Sequence, residues 1–447
     1  MRISVIGCGY LGAVHAACMA ELGHDVVGLD VDEAKVALLA QGKPSFHEPD
    51  FPALLARHVR SGRLRFTTDP AEIRDAEIHF IGVGTPQLKG RLGADMTYVR
   101  AAVATIIEHA EVAPGGRPVL VAGKSTVPVG TAQEIEQALA SSGKDLLLAW
   151  NPEFLREGYA VADTLHPDRL VYGLPDDLAR GAVAKEILDE CYAVPLGEGT
   201  PLVVANYPTA ELVKVAANSF LATKISFINA MAELCDATGG DVTRLAEAIG
   251  YDDRIGKKFL QAGIGFGGGC LPKDIRAFMA RAGELGVDEA LTFLREVDAI
   301  NRRRRDHAVS LAEEAVGGRL AGKKVAVLGI TFKPDTDDLR DSPALDIAGR
   351  LWSRGAELAV VDPAAGDLLR ERQPELNVSD TVEEAVRDAH VVMVLTQWRE
   401  FVELDPAQLV HLPAAANVID GRNVLNPRRW SDAGWRYFGM GRGVSIW

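Results

Sequence analysis

A cysteine follows three consecutive glycines in the segment "FGGGCLPKD" (266–274). Pro272 favours the first turn of a helix, so Cys270 would lie just before a helix N-terminus. The helix dipole stabilises a thiolate at that position, which suits a nucleophile. The alternative is a buried, unreactive cysteine beside a flexible turn. The segment therefore predicts a reactive thiol, with a structural cysteine as the competing interpretation.

A second glycine pattern, "GCGYLG" (7–12), matches the dinucleotide-binding sequence GxGxxG between an apolar strand and a helix. In such a motif Gly7 makes the turn, Gly9 lets the backbone approach a pyrophosphate, and Gly12 allows close packing of helix and strand. Asp30 ends the next strand, where it would accept hydrogen bonds from an adenosine ribose and repel a 2′-phosphate. The pattern predicts NAD rather than NADP. A glycine-rich turn without a ligand is the alternative.

A hydride acceptor and a thiolate together indicate oxidation through a covalent thiol adduct. A thiolate adds to an aldehyde to give a thiohemiacetal, and loss of hydride gives a thioester that water hydrolyses to a carboxylate. This chemistry needs an oxyanion stabiliser and a base. Asp274 lies four residues after Cys270 and can share its helix face; its alternative role is to complement the helix dipole. Lys214 and Asn218 are also four apart, although they could form a solvated polar stripe.

Two further segments follow predicted strands and carry polar groups. "NPEFLREG" (151–158) holds Glu153 and Glu157, which could act in acid–base chemistry directly or through water. These carboxylates could equally mark a helix N-terminus and an exposed face. "KSTVP" (124–128) could present Thr126 to the same pocket.

The elements that must hold these groups are apolar strands that alternate with helices, a pattern typical of parallel α/β sheets. The first set of strands is "RISVIG" (2–7), "DVVGLD" (25–30), "EIHFIGVGTP" (77–86), "PVLVAGKSTVP" (118–128) and "LLLAWNPEF" (146–154). The second set is "KKVAVLGI" (323–330), "ELAVVDP" (357–363), "HVVMVLT" (390–396) and "NVID" (417–420). The sequence predicts an α/β fold with two Rossmann-like parallel-sheet domains. The second strands end in Asp30 and Asp362, but the second set lacks GxGxxG, so the two domains should bind different ligands.

Between the two sets, the residues from about 209 to 234 contain no strong helix breaker and repeat apolar residues at helical spacing. We expect one long central helix, followed by further helical structure to about Arg304. Such a helix could pair with a second copy of the chain or form an intrachain spine. The run "RRRR" (302–305), flanked by Asp298 and Asp306, is interpreted as a solvated helix face or an inter-subunit contact.

Composition excludes several classes of function. The chain has 447 residues and a formal net charge of −14, which argues against nucleic-acid binding. Its five cysteines show no paired spacing, so we expect free thiols in a reducing compartment. No histidine pattern predicts a metal site. No apolar run reaches about 18 residues, so we predict no membrane span and a cytoplasmic protein.

These motifs together resemble the UDP-glucose/GDP-mannose dehydrogenase family. The resemblance runs nearly end to end, through "GCGYLG", "GVGTP", "KSTVPVGT", "NPEFLREG", "ANSFLATKISFIN", "DRIGKKFLQAGIGFGGGCLPKD", "LGITFKPDTDDLRDSP" and "DGRN". It implies an NAD-binding domain at 1–200, a central helical dimerisation region at 201–305 and a UDP-sugar-binding domain at 316–447. A homodimer or higher homo-oligomer is also implied.

The resemblance assigns roles residue by residue. Cys270 matches the nucleophile, Lys214 and Asn218 match oxyanion stabilisers, and Asp274 matches the aspartate that activates water. Glu153 and Thr126 match groups that position water or relay protons. The implied cofactor-binding residues are Gly7, Gly9, Tyr10, Leu11, Gly12, Asp30, Lys35, Thr85, Thr126, Glu157 and Arg340. The implied substrate-binding residues are Phe154, Leu155, Glu157, Lys214, Asn218, Arg254, Phe259, Phe266, Gly267, Phe332, Lys333 and Arg422.

Among these, Arg254 is expected to reach the substrate of a neighbouring subunit. Many relatives have serine where this chain has Gly269, and phenylalanine where it has Leu271. Leu271 also occurs in the mannose-directed branch of the family.

The implied activity is the NAD-dependent four-electron oxidation of UDP-glucose to UDP-glucuronate. The alternatives are the same chemistry on GDP-mannose, TDP-glucose or an N-acetylated UDP-sugar, a two-electron hydroxyacid dehydrogenase, and a non-catalytic nucleotide-sugar-binding protein.

Overall fold

The computed structural model describes residues 1–111, 116–373 and 376–443. The chain divides into two compact units. The first unit comprises Met1–Ala217 and Arg276–Gly286, and the second comprises Asn218–Ile275 and Val287–Trp447. The division into 1–200, 201–305 and 316–447 remains a prediction.

The first unit is built on a sheet whose strands are β1 (Arg2–Ile6), β2 (Asp25–Leu29), β3 (Leu64–Thr67), β4 (Ile78–Ile81), β5 (Val119–Gly123), β6 (Leu146–Trp150), β7 (Leu170–Leu174) and β8 (Leu202–Asn206). Over the described residues the sheet has eight strands in the order β3-β2-β1-β4-β5-β6-β7-β8. Neighbouring strands are parallel except for β6 and β7, which pair in antiparallel register at Trp150 and Gly173. The first six strands follow the Rossmann order.

The second unit contains a parallel sheet formed by β9 (Lys324–Leu328), β10 (Glu357–Val361), β11 (Asn377–Val378), β12 (Val391–Val394), β13 (Asn417–Asp420) and β14 (Arg436–Gly439). Within the described residues its order is β11-β10-β9-β12-β13-β14, which repeats the connectivity of β1 to β6. The predicted α/β class with two parallel-sheet domains and a long central helix is confirmed.

Helices connect the strands. Those that begin in the first unit are α1 (Tyr10–Glu21), α2 (Glu33–Ala40), α3 (Phe51–Ser61), α4 (Thr97–His109), α5 (Thr131–Ser141), α6 (Ala160–Leu165), α7 (Leu178–Cys191), α8 (Ala193–Gly197) and α9 (Tyr207–Thr238). Those that begin in the second are α10 (Val242–Gly250), α11 (Leu271–Glu284), α12 (Phe293–Ala315), α13 (Pro343–Ser353), α14 (Gly366–Arg372), α15 (Val382–Val386), α16 (Arg399–Val402), α17 (Pro406–Leu409) and α18 (Pro427–Asp432). Short 3-10 helices occupy Pro70–Ile73 and Asp288–Leu291.

The central strands of each sheet are covered on both faces. Every residue of β5 and β6 is buried, as is every residue of β12 and β13. Strands covered on both faces read as continuous apolar runs, which is why the sequence predicted them. None of the helices within 1–111, 116–373 and 376–443 has the length and apolarity needed to cross a membrane.

The central helix α9 is longer than predicted, at 32 residues. Helix α12 likewise continues past Arg304 to Ala315. The interpretation of the arginine run as a solvated face is only half right. Arg302 and Arg303 are exposed, whereas Arg304 is fully buried and Arg305 is 5% exposed. Nε of Arg304 donates to the carbonyl of Gly263, 3.2 Å away. The buried arginine thus holds the loop that contains Gly263, within the second unit.

Candidate active site

The predicted site residues are divided between the two units. In the first unit, the turn after β1 has the shape that a dinucleotide requires. Gly7 has φ +89°, and a Cβ there would lie 2.8 Å from the Cα of Val83. A Cβ on Gly12 would overlap the carbonyl of Gly7, whereas one on Gly9 would meet no atom within 4 Å. Two glycines thus allow close packing while Gly9 faces open space, and these residues fit a bound dinucleotide.

Asp30 at the end of β2 is buried and tied to this turn. Its Oδ2 accepts from the Cys8 amide at 2.7 Å and from Lys35 Nζ at 3.0 Å. The second sheet repeats the arrangement, because Asp362 accepts from the Ile330 amide at 2.8 Å. This common geometry explains why both second strands end in aspartate.

Tyr10 opens α1, and its hydroxyl donates to the buried carboxylate of Glu48. Glu48 also accepts from the amide of Gly158 at 2.6 Å and from the amide of Ala160 at 2.7 Å. A single carboxylate therefore connects the dinucleotide turn to the end of the "NPEFLREG" segment. No sequence pattern indicated Glu48, because the two amides from which it accepts lie more than 100 residues away in the chain.

The segment 151–156 has no helical structure, so the helix N-terminus considered for Glu153 is wrong. Glu153 Oε1 accepts from the amides of Phe154 and Leu155, at 2.8 and 3.1 Å. Its Oε2 lies 3.1 Å from Nζ of Lys124, a buried lysine directly after β5. Lys124 begins "KSTVP", and its signal in the sequence is a lysine at the end of an apolar strand.

Other predicted residues of the first unit lie at the same carboxyl ends of the strands. The Thr85 hydroxyl donates to the carbonyl of Thr126 at 2.8 Å, and Glu157 is buried. The Phe154 ring has two cations over it, with Arg169 Cζ 3.9 Å and Lys214 Nζ 5.6 Å from its centroid. The structure thus brings Lys214 together with Phe154.

In the second unit, Cys270 immediately precedes α11, as predicted from Pro272. Its carbonyl accepts the amide of Asp274 at 2.9 Å, which is the first helical hydrogen bond. Cys270 is exposed, whereas the other four cysteines are buried. The competing interpretation of Cys270 as a buried cysteine is therefore wrong.

Asp274 is 1% exposed and lies against two donors. Nδ2 of Asn218, on α9, is 2.6 Å from Oδ2, and Nζ of Lys273 is 2.6 Å from Oδ1. Two candidate catalytic residues, Asn218 and Asp274, are thus in direct contact. The contact with Lys273 was not predicted.

The glycines before Cys270 pack against the segment that follows β9. Gly268 has φ +85°, and its amide donates to the carbonyl of Arg340 at 3.0 Å. A Cβ on Gly268 would lie 2.7 Å from the Phe332 ring. A Cβ on Gly269 would overlap the guanidinium of Arg340. The glycines let this segment approach closely, and Gly269 leaves room for the guanidinium of Arg340.

Two polar side chains, the buried Asn301 and the partly buried Arg422, fix the backbone of the same loop. Asn301 on α12 accepts from the Phe266 amide at 2.7 Å and donates to its carbonyl at 2.9 Å. Arg422 donates to the carbonyls of Gly265 at 2.8 Å, Phe332 at 3.1 Å and Leu395 at 2.8 Å. Desolvation lowers the pKa of Arg422 to about 10. These contacts assign Arg422 a positioning role, while its contact with substrate remains a prediction.

Three further predicted residues of the second unit are Lys333, Phe259 and Arg254. Lys333 Nζ lies 5.7 Å from the centroid of the Phe332 ring. Phe259 adopts φ +65°, which is uncommon for a side chain of its size. Arg254 is exposed and pairs with Asp252 at 2.6 Å.

Known protein families match this chain along most of its length. Three models of the UDP-glucose/GDP-mannose dehydrogenase family match it: the NAD binding domain at residues 1–193, the central domain at 208–303 and the UDP binding domain at 326–427. The prediction of NAD as cofactor is thereby confirmed.

Individual proteins match over nearly their full length. UDP-glucose 6-dehydrogenase of Rhizobium meliloti (strain 1021) is 39% identical over 445 residues, which cover 99% of this chain and 100% of that protein. The structure of a UDP-glucose dehydrogenase from the hyperthermophilic archaeon Pyrobaculum islandicum matches with a TM-score of 0.88 and 37% identity, covering 98% of this chain and 97% of that one. The UDP-D-ManNAc dehydrogenase of Pyrococcus horikoshii matches with a TM-score of 0.85 and 26% identity over 100% of both chains. The chain belongs to the UDP-glucose/GDP-mannose dehydrogenase family.

Proposed function

We propose that this protein oxidises the 6-hydroxymethyl group of UDP-glucose to a carboxylate, giving UDP-glucuronate. One alcohol, one water and two NAD⁺ become one carboxylate, two NADH and three protons. The observation that carries the proposal is the exposed Cys270 at the start of α11, in a chain whose first turn fits a dinucleotide. The names of the relatives from Rhizobium meliloti and Pyrobaculum islandicum support UDP-glucose as the substrate.

NAD bound at the turn of Gly7, Gly9 and Gly12 would accept a hydride from the sugar carbon in each oxidation. The thiolate of Cys270 adds to the aldehyde formed by the first oxidation, and the resulting thiohemiacetal oxygen carries the developing negative charge. The second oxidation leaves a thioester on the same sulfur. Water then attacks its carbonyl, the carbon–sulfur bond breaks, and the thiolate returns.

The other residues stabilise charge and direct water. Lys214 and Asn218 provide N–H donors for the oxyanion of each intermediate. Asp274 takes a proton from the attacking water, and its contact with Asn218 keeps base and oxyanion donor next to each other. Glu153 and Thr126 position the water.

The nucleotide-sugar is held by residues of the second unit. Phe332 and Lys333 contact the nucleotide, Phe259, Phe266 and Gly267 line the sugar site, and Arg422 fixes the loop around them. The match of 326–427 to a UDP binding domain supports this assignment.

A homodimer completes the proposed assembly. On α9, Phe220, Phe227 and Leu234 are spaced seven residues apart and are 67%, 49% and 57% exposed. This spacing places them on one face of the helix, where a second copy would cover them. Arg254 of one subunit would reach the substrate of the other. Sedimentation should find a dimer, and an active monomer would contradict this assembly.

A substrate panel tests the proposed function. UDP-glucose, TDP-glucose, GDP-mannose and N-acetylated UDP-sugars are incubated with enzyme and NAD, and NADH is counted per sugar consumed. We expect two NADH per UDP-glucose and weaker turnover of the other sugars. A ratio of one with release of aldehyde would contradict the thioester chemistry, and preference for another sugar would contradict the substrate.

A further inference from the structure

The ammonium group of Lys124 has a complete set of partners in the first unit. Its Nζ lies 3.1 Å from Oε2 of Glu153, 3.0 Å from Oδ1 of Asn151 and 3.3 Å from the hydroxyl oxygen of Tyr192. A lysine ammonium has three protons, and these are three acceptors. Asn151 and Tyr192 are themselves fixed, because the Tyr192 hydroxyl donates to Asn151 Oδ1 at 2.7 Å. The position of Nζ is therefore determined by the fold.

The pair of Lys124 and Glu153 stands among groups that are neutral near pH 7. Burial lowers the pKa of His15 on α1 and raises those of Cys18 and Tyr192. Burial also raises the pKa of Cys191 to about 12. In the part of the chain that the structure describes, Glu153 is the one ion-pair partner of Lys124. Each member of the pair thus depends on the other for charge compensation.

Glu153 is held at both oxygens. Oε1 accepts the amides of Phe154 and Leu155, and Oε2 faces Lys124. A carboxylate has about four acceptor sites, and these contacts use three of them. One acceptor site on Oε2 remains for a water molecule. Protonation of Glu153 would remove the compensating charge from a lysine that is 4% exposed.

We propose that Lys124 is a positioning residue that keeps Glu153 ionised and fixed, so that Glu153 orients the attacking water but does not itself take its proton. The proposal rests on the function proposed above, in which water hydrolyses the thioester on Cys270. It assigns proton abstraction to Asp274 alone. It also explains why the carboxylate has a lysine partner that is only 4% exposed.

The test compares four variants: Lys124→Met, Glu153→Gln, the double variant, and Lys144→Met as the matched control. Lys144 is exposed and donates to the carbonyls of Glu108 and Ala110 in the same unit. The readout is the amount of acyl adduct on Cys270, measured by mass spectrometry of quenched enzyme between pH 6 and pH 9. NADH formation is followed in parallel.

In Lys124→Met the half-buried carboxylate of Glu153 favours its neutral form. We expect hydrolysis at pH 6, relative to pH 9, to be about tenfold slower than in the unaltered enzyme, with adduct accumulating at the lower pH. Glu153→Gln should slow hydrolysis without adding pH dependence, because glutamine does not titrate. The double variant should match Glu153→Gln within about twofold, since the pair acts as a unit. Lys144→Met should behave as the unaltered enzyme.

A normal pH profile in Lys124→Met, or losses that multiply in the double variant, would overturn the proposal. Lys124→Gln provides a second neutral replacement if methionine prevents folding, and it must show the same change with pH. NAD binding by each variant reports whether the first unit is folded. Failure of the proposed function would differ from failure of the Lys124 proposal. In that case the unaltered enzyme itself would release fewer than two NADH per UDP-glucose at every pH.

Discussion

Nδ2 of Asn218 lies 2.6 Å from Oδ2 of Asp274, which joins the central helix α9 to the first turn of α11. Lys273 holds the other oxygen at 2.6 Å. The carboxylate of Asp274 is thus 1% exposed, and each of its two oxygens has a hydrogen-bond donor. A carboxylate fixed in this way is suited to take a proton from the water that attacks the thioester.

Replacement of Asp274 by asparagine should therefore spare thioester formation and slow its hydrolysis. We expect a loss of about 10²–10⁴-fold, the usual scale for removal of a general base. Mass spectrometry of quenched Asp274→Asn enzyme should find the sugar nucleotide attached to Cys270. Turnover near the rate of the unaltered enzyme would show that another group takes the proton.

Alkylation should distinguish Cys270 from the other thiols. Cys270 is exposed, while burial raises the pKa values of Cys8, Cys18, Cys191 and Cys235. Iodoacetamide at pH 8 should add one group per chain, at Cys270, and should abolish formation of the second NADH. Peptide mapping locates the label. Cys270→Ala enzyme should remain unlabelled, and retention of full activity in that variant would contradict a nucleophilic role.

Substitution of Gly268 should disturb the nucleophile without touching it. Alanine there adopts a strained positive φ and places its Cβ 2.7 Å from the Phe332 ring. We expect the rate of the second oxidation to fall by about tenfold or more, because small displacements of a reacting atom are costly. Gly283→Ala is the control, since Gly283 is in α11 with no atom within 4 Å of its Cβ position. Equal activity in the two variants would refute the packing argument.

The preference for NAD over NADP should depend on Asp30. Asp30→Asn removes the charge that would face a 2′-phosphate and leaves Asp32, 3.9 Å away, as the ion-pair partner of Lys35 in the described residues. The ratio of kcat/KM for NAD to that for NADP should fall by about 10–100-fold, which corresponds to about 1.4–2.8 kcal/mol. Glu33→Gln, on the exposed start of α2, should leave the ratio unchanged. An unchanged ratio in Asp30→Asn would place the ribose elsewhere.

The first unit should lose stability as pH falls. His79 is fully buried, and burial lowers its pKa to about 3, while an unfolded histidine titrates near 6.5. Below pH 6.5 the unfolded chain therefore binds a proton that the folded chain does not. The stability present above pH 6.5 is lost by about 1.4 kcal/mol per pH unit down toward pH 3.

Urea unfolding at pH 7.5 and 5.5 measures this loss. His79→Gln cannot titrate, so its unfolding midpoint should change less between the two pH values than that of the unaltered protein. His166→Gln, at an exposed position, is the control and should keep the full change. An equal change in His79→Gln and unaltered protein would exclude His79 as the cause.

The sequence was sufficient to predict the two sheets, the central helix and the position of Cys270 before α11. These features depend on local patterns, namely apolar runs, helix breakers and a proline in the first turn. The partners of Lys124 could not be predicted in the same way, because its contact with Tyr192 joins residues 68 positions apart. Only a folded chain brings such groups together.

The arginine run illustrates the same limit. Four adjacent charges suggest a solvated surface, yet Arg305 is buried and pairs with Asp341 at 3.3 Å and Asp346 at 3.0 Å. These partners are distant in sequence, so no pattern of charge could have indicated them. The role of the glycines before Cys270 was hidden for the same reason, since the side chains of Phe332 and Arg340 fill the space they leave.

Because α11 begins in the second unit and ends in the first, the first unit cannot pass between relatives as one stretch of chain. Its short segment Arg276–Gly286 is anchored within that unit, where Arg281 Nε donates to the carbonyl of Val129 at 2.8 Å. A gene exchange that stops at residue 217 would replace Val129 and the rest of the first unit, and would leave this segment beside a first unit from another relative. A chimaera that keeps the first unit intact therefore requires two coordinated exchanges, one of residues 1–217 and one of residues 276–286.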